Sequence, residues 1–197
     1  MSLRYERDLS AAIASDPAHR SARAVIAIQH FLLGQTKMVK RQIFYSFHFD
    51  NDVFRVQMVR QMGVIEGNEP VSKNTWETVK GSGNTAIEKW IDDNMKGKSC
   101  VVVLIGTDTS KRPWVDYEIK KAWQDGKALV GVHIHNLSSM NDGKCTKGKN
   151  PFDAITFTLG GKTVVPPCYD PSSSDAYGDI SKNLASWVES AIKLRSA

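Results

Sequence analysis

One segment of the chain, residues 99–119, reads SCVVVLIGTDTSKRPWVDYEI. Every position from Cys100 to Ile105 is apolar, which is typical of a strand that other elements cover on both faces. A polar loop follows, and Pro113 suits the first turn of a helix because the φ angle of proline is already helical. The segment therefore predicts a buried strand of a parallel sheet, followed by a crossover helix.

The order of strand and helix repeats on both sides of this segment. Aromatic and β-branched residues mark a strand before it, and a second apolar run follows the predicted helix. Apolar residues at helical spacing indicate further helices between the strands and near the end of the chain. The strands are expected at 41–47 and 128–134, and the helices at 53–62, 85–95 and 180–192.

Some segments have weaker patterns. Trp76–Lys80 is interpreted as a short edge strand or a loop, and residues 152–157 and 163–165 as short strands or packed loop. Asp50–Asp52 supplies N-cap candidates for the helix after the first strand, because short polar side chains accept hydrogen bonds from free N–H groups there. The sequence therefore does not determine which segments form the edge strands of the sheet.

The alternation of strands and helices predicts right-handed βαβ units and a largely parallel sheet. We expect an α/β fold, a flavodoxin-like three-layer sandwich of about five mostly parallel strands with helices on both faces. Ligands of such sheets bind beyond the carboxyl ends of the strands. This rule selects the loops at 46–52 and 106–113 and the loop that starts at His135.

The composition of the 197 residues excludes several classes of protein. Hydrophobic residues make up 41% and charged residues 24%, which suffices for a buried core. No apolar run approaches the roughly 20 residues that span a bilayer, and the net charge of +5 permits an anionic ligand without requiring nucleic acid. The three cysteines form no CxxC motif, so we expect a reducing, cytoplasmic location.

The first 37 residues differ in pattern from the rest. Their apolar residues could form one or two amphipathic helices, and the absence of a cleavage site after 24–33 argues against a secretory signal. Met38 stands just before the first strand and is a candidate alternative start. We therefore divide the chain into an N-terminal extension over 1–37, helical or partly disordered, and a main domain over 38–197.

Glu118 is the first candidate for a functional carboxylate. It lies four residues after Trp114, so both side chains share one face of a predicted helix at the ligand edge. A carboxylate there could stabilise a developing positive charge or bind ribose hydroxyls. The spacing alone favours the alternative, a solvated glutamate paired with a residue such as Lys121.

Other polar residues lie near the same edge. The turn Gly81–Asn84 could cradle an anion at a helix start, although a plain turn with Asn84 as N-cap explains it better. His48 is either a site residue or a surface-loop histidine. His133 and His135 share one strand face but lack a third partner at metal-ligand spacing, so no metal site is expected.

Two parts of the sequence resemble TIR domains. Ile43–Phe47 resembles their first box, a hydrophobic strand that ends in serine and an aromatic residue. Ser99–Gly106 with Trp114–Ile119 resembles the central strand and following helix of TIR domains that cleave NAD. The resemblance implies that Glu118 corresponds to their catalytic glutamate.

A closer resemblance is to a TIR-like family of unknown function that includes the B component of the Thoeris antiphage system. It extends over about residues 40–157 and leaves 1–37 outside. The motifs that carry it are 63–68, 87–91, 128–137 and 147–152.

The resemblance implies that NAD is the substrate, with no further cofactor, and that Glu118 is catalytic. Breaking the bond between nicotinamide and ribose creates an oxocarbenium-like centre, which a fixed carboxylate stabilises. The expected product is an ADP-ribose-type signal, linear or cyclic, in antiphage defence. The ligand-binding residues would be Ser46, Phe47, His48, Asn84, Gly106, Thr107 and Trp114.

A second hypothesis from another class is a non-catalytic TIR-like interaction module in signal transduction, with Glu118 solvated. Both hypotheses allow self-association or a downstream effector protein as partner, and neither involves nucleic acid or a membrane. A phospho-receiver fits less well, because Asp108 comes one or two residues too late after the third strand.

Overall fold

The computed structural model describes residues 41–67, 73–139 and 143–197. The expected N-terminal extension over 1–37 and the alternative start at Met38 lie outside the described residues, so both stay predictions.

The described residues form five α-helices and seven β-strands. None of these helices is long and apolar enough to cross a bilayer. Two short 3₁₀ helices occupy Thr109–Lys111 and Pro151–Ala154. The elements are β1 (Gln42–Ser46), α1 (Phe49–Gln61), β2 (Glu66–Gly67), α2 (Lys73–Gly81), α3 (Asn84–Met95), β3 (Cys100–Ile105), α4 (Pro113–Gln124), β4 (Ala128–His133), β5 (Phe157–Leu159), β6 (Lys162–Val164), β7 (Cys168–Tyr169) and α5 (Ala176–Arg195).

Five strands form one parallel sheet in the order β2-β1-β3-β4-β7. β3 is its centre, since Val103 pairs with Ser46 of β1 on one side and with Gly131 of β4 on the other. After β1 the chain continues to β2 on one side of β1 and then crosses to β3 on the other side. The switch point of the sheet, where the strand order reverses, therefore lies between β1 and β3. The predicted flavodoxin-like sandwich is confirmed.

The two faces of the sheet form separate hydrophobic clusters, because successive strand residues point to opposite sides. Val102 and Leu104 pack with α1 and α5, whereas Val103 and Ile105 pack with α3 and α4. Every residue of β3 and of β4 is buried. Each fully buried side chain of this kind contributes about 1.5–3 kcal/mol, so the two central strands anchor the domain.

The edge strand beside β1 is not where the sequence placed it. Residues 76–80 belong to α2, and the edge strand is Glu66–Gly67, which pairs with Gln42 and Ile43. A strand of two residues carries no periodic pattern that could be recognised. The model describes the side chains of α2 only from residue 77 onward.

Two helix starts also differ from the prediction. α1 begins at Phe49, with His48 as its N-cap, so Asp50–Asp52 lies inside the first turn instead of capping it. Gly83, with φ 89°, is the N-cap of α3, which makes Asn84 the first helical residue rather than the cap. The acidic residues still favour the helix start, because the helix dipole attracts negative charge there.

The C-terminal part contains one strand that the sequence analysis missed. Segments 152–157 and 163–165 contribute to an antiparallel hairpin of β5 and β6 outside the main sheet. The fifth strand of the sheet is Cys168–Tyr169. Trp187 of α5 stacks on Tyr169 with ring centroids 4.4 Å apart, which fixes the last helix against this edge.

A buried ion pair fills the switch point between β1 and β3. Arg55 of α1 donates hydrogen bonds to the carbonyls of Leu137 and Gly143, at 3.1 and 2.9 Å, and to Asp52 at 3.4 Å. The Asp52 carboxylate lies so close to Gly106 that a Cβ there would overlap it. Burial raises the pKa of Asp52 to about 6, although Arg55 opposes the rise.

The loop over residues 145–150 covers the carboxyl end of β3. Thr107 Oγ1 donates to the carbonyl of Thr146 at 2.8 Å. Gly148 approaches the Gly106 carbonyl so closely that a Cβ at Gly148 would overlap the oxygen. Side chains and loop of the protein itself thus occupy the crevice at this end of β3.

We expect Gly148→Ala to lower the free energy of unfolding by about 1–3 kcal/mol, because the backbone carbonyl of Gly106 cannot yield as a side chain would. Each kcal/mol corresponds to roughly 2–4 °C in a domain of this size, so thermal melting should detect the change. Gly81→Ala is the matched control, since its Cβ meets open space. Equal melting temperatures of the two variants would contradict the close packing.

Candidate active site

A cavity of about 200 Å³ opens where the carboxyl end of β1 meets the start of α4. Aromatic rings from four elements contribute to its wall: Phe44, Phe49, Trp90 and Trp114. Such rings offer flat apolar surfaces whose faces attract cations. The cavity is therefore suited to a flat ligand group that carries positive charge.

One carboxyl group lies in this apolar wall. Glu118 shares the buried face of α4 with Ile119 and Ala122, and only 8% of its surface is exposed. Lys121 instead donates to the Asp125 carboxylate at 2.7 Å. The alternative of a solvated glutamate paired with Lys121 is therefore wrong.

Ser46, the last residue of β1, holds this carboxyl group. The alternation along β1 places Ser46 on the same side as Phe44, toward α3 and α4. Ser46 Oγ donates to Glu118 Oε2 at 2.5 Å. Burial raises the pKa of Glu118 to about 8, and the hydrogen bond from Ser46 opposes this rise because it stabilises the carboxylate. With this pKa the Glu118 side chain is mostly protonated, and so uncharged, at pH 7.

Charged residues stand around the mouth of the cavity. Lys80 of α2 and Arg112, just before α4, bring positive charge, and the Asp50 carboxylate brings negative charge. Lys80 is 3.5 Å from Glu77, a weak exposed pair, and the Asp50 side chain is 58% exposed. The cavity thus combines an apolar interior with a mouth at which positive charges outnumber the negative one.

His48 lies in the cavity wall between β1 and α1 and is buried, so it is not a surface-loop histidine. Its Nδ1 has no hydrogen-bond partner in the described part of the chain, and its Nε2 is 3.7 Å from Asp50. Burial, with help from the Arg112 charge, lowers the pKa of His48. The neutral ring can therefore offer one nitrogen to a ligand.

The structure brings five of the predicted site residues together. Phe47, His48, Trp114 and Glu118 line the cavity, and Ser46 contacts Glu118 from β1. They come from the end of β1 and from the first two turns of α4, which are adjacent only after folding. Their roles toward a ligand stay predictions.

Three predicted site residues lie elsewhere. Gly106 and Thr107 are packed under the loop 145–150 and do not line the cavity. Asn84 lines a neighbouring groove of about 440 Å³, which shares Trp114 with the cavity. Asn84 would therefore touch a ligand only if that ligand extended past the Trp114 ring.

Sequence reasoning missed Phe49, Lys80, Trp90 and Arg112 as cavity residues. Trp90 both packs on the core and lines the cavity. One sequence feature could have identified Arg112: it lies in the loop 106–113, beyond the carboxyl end of β3, where ligands of such sheets bind. No sequence feature pointed to Lys80, because its segment was not expected to be helical.

The histidine pair lies outside this cavity, at the carboxyl end of β4. The rings of His133 and His135 meet edge to face with centroids 5.8 Å apart. Asp170 is 3.8 Å from His135 and pairs with Lys147 at 2.6 Å. Within the described ranges no three His, Cys, Asp or Glu side chains are grouped so that they could hold a metal ion.

The geometry around Glu118 suits one kind of chemistry. A carboxylate in an apolar site interacts more strongly with a nearby positive charge than it would in water. A cation that enters the cavity would also lower the pKa of Glu118 and favour its ionised form. Since Ser46 already fixes the carboxyl group, the site can stabilise a positive centre that develops in a bound ligand.

Two comparisons with known proteins found similar sequences. Residues 44–139 match the family model described as Thoeris protein ThsB, TIR-like domain. A protein of Bacillus cereus (strain MSX-D12), named "Putative cyclic ADP-D-ribose synthase ThsB1", is 34% identical over 125 residues. The matched part is 61% of this chain and 65% of that relative, so it spans less than two thirds of the relative's length. The part of the chain that matches the TIR-like domain family of Thoeris protein ThsB, residues 44–139, includes Ser46 and Glu118.

Proposed function

We propose that this protein binds NAD in the cavity, cleaves the bond between nicotinamide and ribose, and releases an ADP-ribose-type signal in antiphage defence. The observation that carries the proposal is the buried Glu118 carboxyl group, held by Ser46 in an aromatic cavity. The name of the Bacillus cereus relative, "Putative cyclic ADP-D-ribose synthase ThsB1", supports this reaction and favours a cyclic product.

The cavity fits the nicotinamide end of NAD in shape and in charge. Its volume of about 200 Å³ is below the roughly 300–1,000 Å³ of pockets that hold whole drug-sized ligands. It therefore takes one end of a dinucleotide and leaves the rest outside. The nicotinamide ring of NAD is flat and cationic, and the rings of Trp90 and Trp114 attract such a group.

In the proposed reaction the bond between ribose C1′ and the ring nitrogen breaks. Its electron pair goes to the nitrogen, so neutral nicotinamide leaves and the ribose becomes an oxocarbenium-like cation. The Glu118 carboxylate stabilises this cation. Capture of C1′ by water gives ADP-ribose and a proton, and capture by a nucleophile of the same molecule gives a cyclic product and a proton.

We expect Glu118→Gln to lower NAD turnover by at least about 10²–10³-fold, because the amide keeps the shape but cannot become anionic. Nicotinamide release and the ribose product are to be measured by chromatography with mass spectrometry, at matched protein concentrations. The variant should melt no lower than the wild type at pH 8, since its side chain is neutral and still accepts from Ser46.

The matched control for this experiment is Glu189→Gln. Glu189 lies on α5, is exposed and pairs with Arg41 at the opposite end of β1. This variant should keep full turnover. Turnover that survives Glu118→Gln would exclude Glu118 as the catalytic group, and a wild-type protein without turnover would favour the non-catalytic interaction module.

The raised pKa of Glu118 also predicts a pH profile. The carboxyl group is protonated below pH 8 and ionised above it, so kcat/KM, which reports the free enzyme, should rise with pH. For a pKa of about 8 the rise between pH 7 and pH 9 is about tenfold. A flat or falling profile over this range would contradict the requirement for ionised Glu118.

Ser46→Ala should move that profile to higher pH, because its hydroxyl lowers the pKa of Glu118 in the wild type. The matched control is Ser99→Ala at the amino end of β3, where the hydroxyl donates to the Gln42 carbonyl. Steady-state rates of both variants across pH would check this. An unshifted profile for Ser46→Ala would show that the hydrogen bond does not tune the carboxyl group.

A further inference from the structure

We propose that Arg112, assisted by Lys80, forms a phosphate-binding subsite at the mouth of the cavity and holds the pyrophosphate of the dinucleotide. The inference rests on the proposed function for the identity of the ligand. It adds a specificity: the protein would select a substrate that carries phosphates over the corresponding nucleoside.

The first observation is the state of the Arg112 guanidinium. Its Nε is buried and has no hydrogen-bond partner among the described residues. The neighbouring carboxylate, Asp108, is already paired with Lys111 at 2.7 Å. A guanidinium offers five N–H donors in a plane that matches phosphate oxygens, and the Nε–H of Arg112 is one that the described residues leave without an acceptor.

Further polar groups line the same cavity, at the start of α4 and at the N-cap of α1. Pro113 opens α4 without an N–H group, and no side chain caps the helix start. The N–H groups of Trp114 and Val115 therefore have no partner within the helix, and the helix dipole adds positive potential there. Independently, the buried His48 presents an Nδ1 without a hydrogen-bond partner in the described part of the chain.

The charges around the cavity match a pyrophosphate as well. Lys80 and Arg112 are positive, Asp50 is negative, and the buried Glu118 is mostly neutral at pH 7 before a ligand binds. Among the residues that line the cavity, the two cations thus exceed the one ionised carboxylate, while Asp108 acts on Arg112 and Glu77 pairs with Lys80 from outside the lining. A pyrophosphate diester carries two negative charges, so it finds both cations without displacing an existing strong ion pair.

The size of the cavity places the phosphates at this mouth. If the nicotinamide end fills the interior beside Glu118, the ribose follows it and the pyrophosphate comes next along the molecule. The interior of about 200 Å³ leaves no room for these groups, so they lie at the opening that Arg112 and Lys80 flank. The phosphates then fix the distance of C1′ from Glu118, which makes Arg112 a positioning residue.

The test measures binding and catalysis separately. Isothermal calorimetry with ADP-ribose, inorganic pyrophosphate and nicotinamide riboside is to be done on the full chain and on Arg112→Gln. We expect Arg112→Gln to weaken ADP-ribose and pyrophosphate by about 10- to 100-fold, the usual effect of a charge-assisted hydrogen bond. Binding of nicotinamide riboside, which lacks phosphate, should change less than about twofold.

Two variants sharpen the comparison. Lys98→Gln removes the same charge at the amino end of the sheet, where Lys98 donates to Gln42, and should leave all three affinities unchanged. Arg112→Lys should restore part of the ADP-ribose affinity, because lysine keeps the charge but loses the planar donor set. If Arg112→Gln does not fold, as judged by melting, Lys80→Gln replaces it. A several-fold loss is then expected for ADP-ribose and pyrophosphate, with no loss for nicotinamide riboside.

Kinetic measurements separate a positioning role of Arg112 from an effect of the substitution on folding. With NAD, Arg112→Gln should raise KM about 10-fold or more, and the ratio of kcat/KM for NAD to that for nicotinamide riboside should fall. An unchanged ADP-ribose affinity, or an equal loss for nicotinamide riboside, would overturn the inference. Arg112-dependent binding of ADP-ribose without NAD turnover would refute the proposed function alone, whereas turnover that is indifferent to Arg112 would refute the subsite alone.

Discussion

The hydrogen bond from Ser46 to Glu118 is the contact on which the site depends. It joins the end of β1 to the second turn of α4, two elements that are far apart along the chain. A buried carboxyl group without such a partner would cost several kcal/mol. The bond therefore requires the parallel pairing of β1 with β3 and the packing of α4 on that face of the sheet, so the fold and the site are specified together.

Because the Glu118 carboxyl group is buried, a nearby charge can change whether it is protonated or ionised. Burial in the apolar wall raises the pKa of Glu118 to about 8, so the carboxyl group is mostly protonated at pH 7. A positive charge nearby would favour the anion instead. In the proposed reaction the cationic nicotinamide ring would supply that charge, and the ionised carboxylate would then stabilise the developing cation.

How much of this could be predicted from sequence depends on the length of each pattern. β3 and α4 were predictable, because a six-residue apolar run and a helical stripe each repeat their signal many times. The two-residue strands Glu66–Gly67 and Cys168–Tyr169 were not, since their place is set by neighbours in space. Glu118 was identified by resemblance, whereas its burial was not predicted, because the spacing alone favoured a solvated glutamate. The unpaired donor of Arg112 could be identified only from the structure, because only the packing of α4 shows that its Nε has no hydrogen-bond partner among the described residues.

The packing at the switch point explains why the carboxyl group of the candidate site comes from a helix and not from the end of a strand. In open parallel sheets the crevice beyond β1 and β3 is the usual ligand site. Here Asp52 and Arg55 fill it from α1, and Gly148 closes it over Gly106. The space that remains lies to the side, between β1 and α4. A functional carboxyl group must then project from the buried face of α4 toward β1, and Glu118 occupies that position.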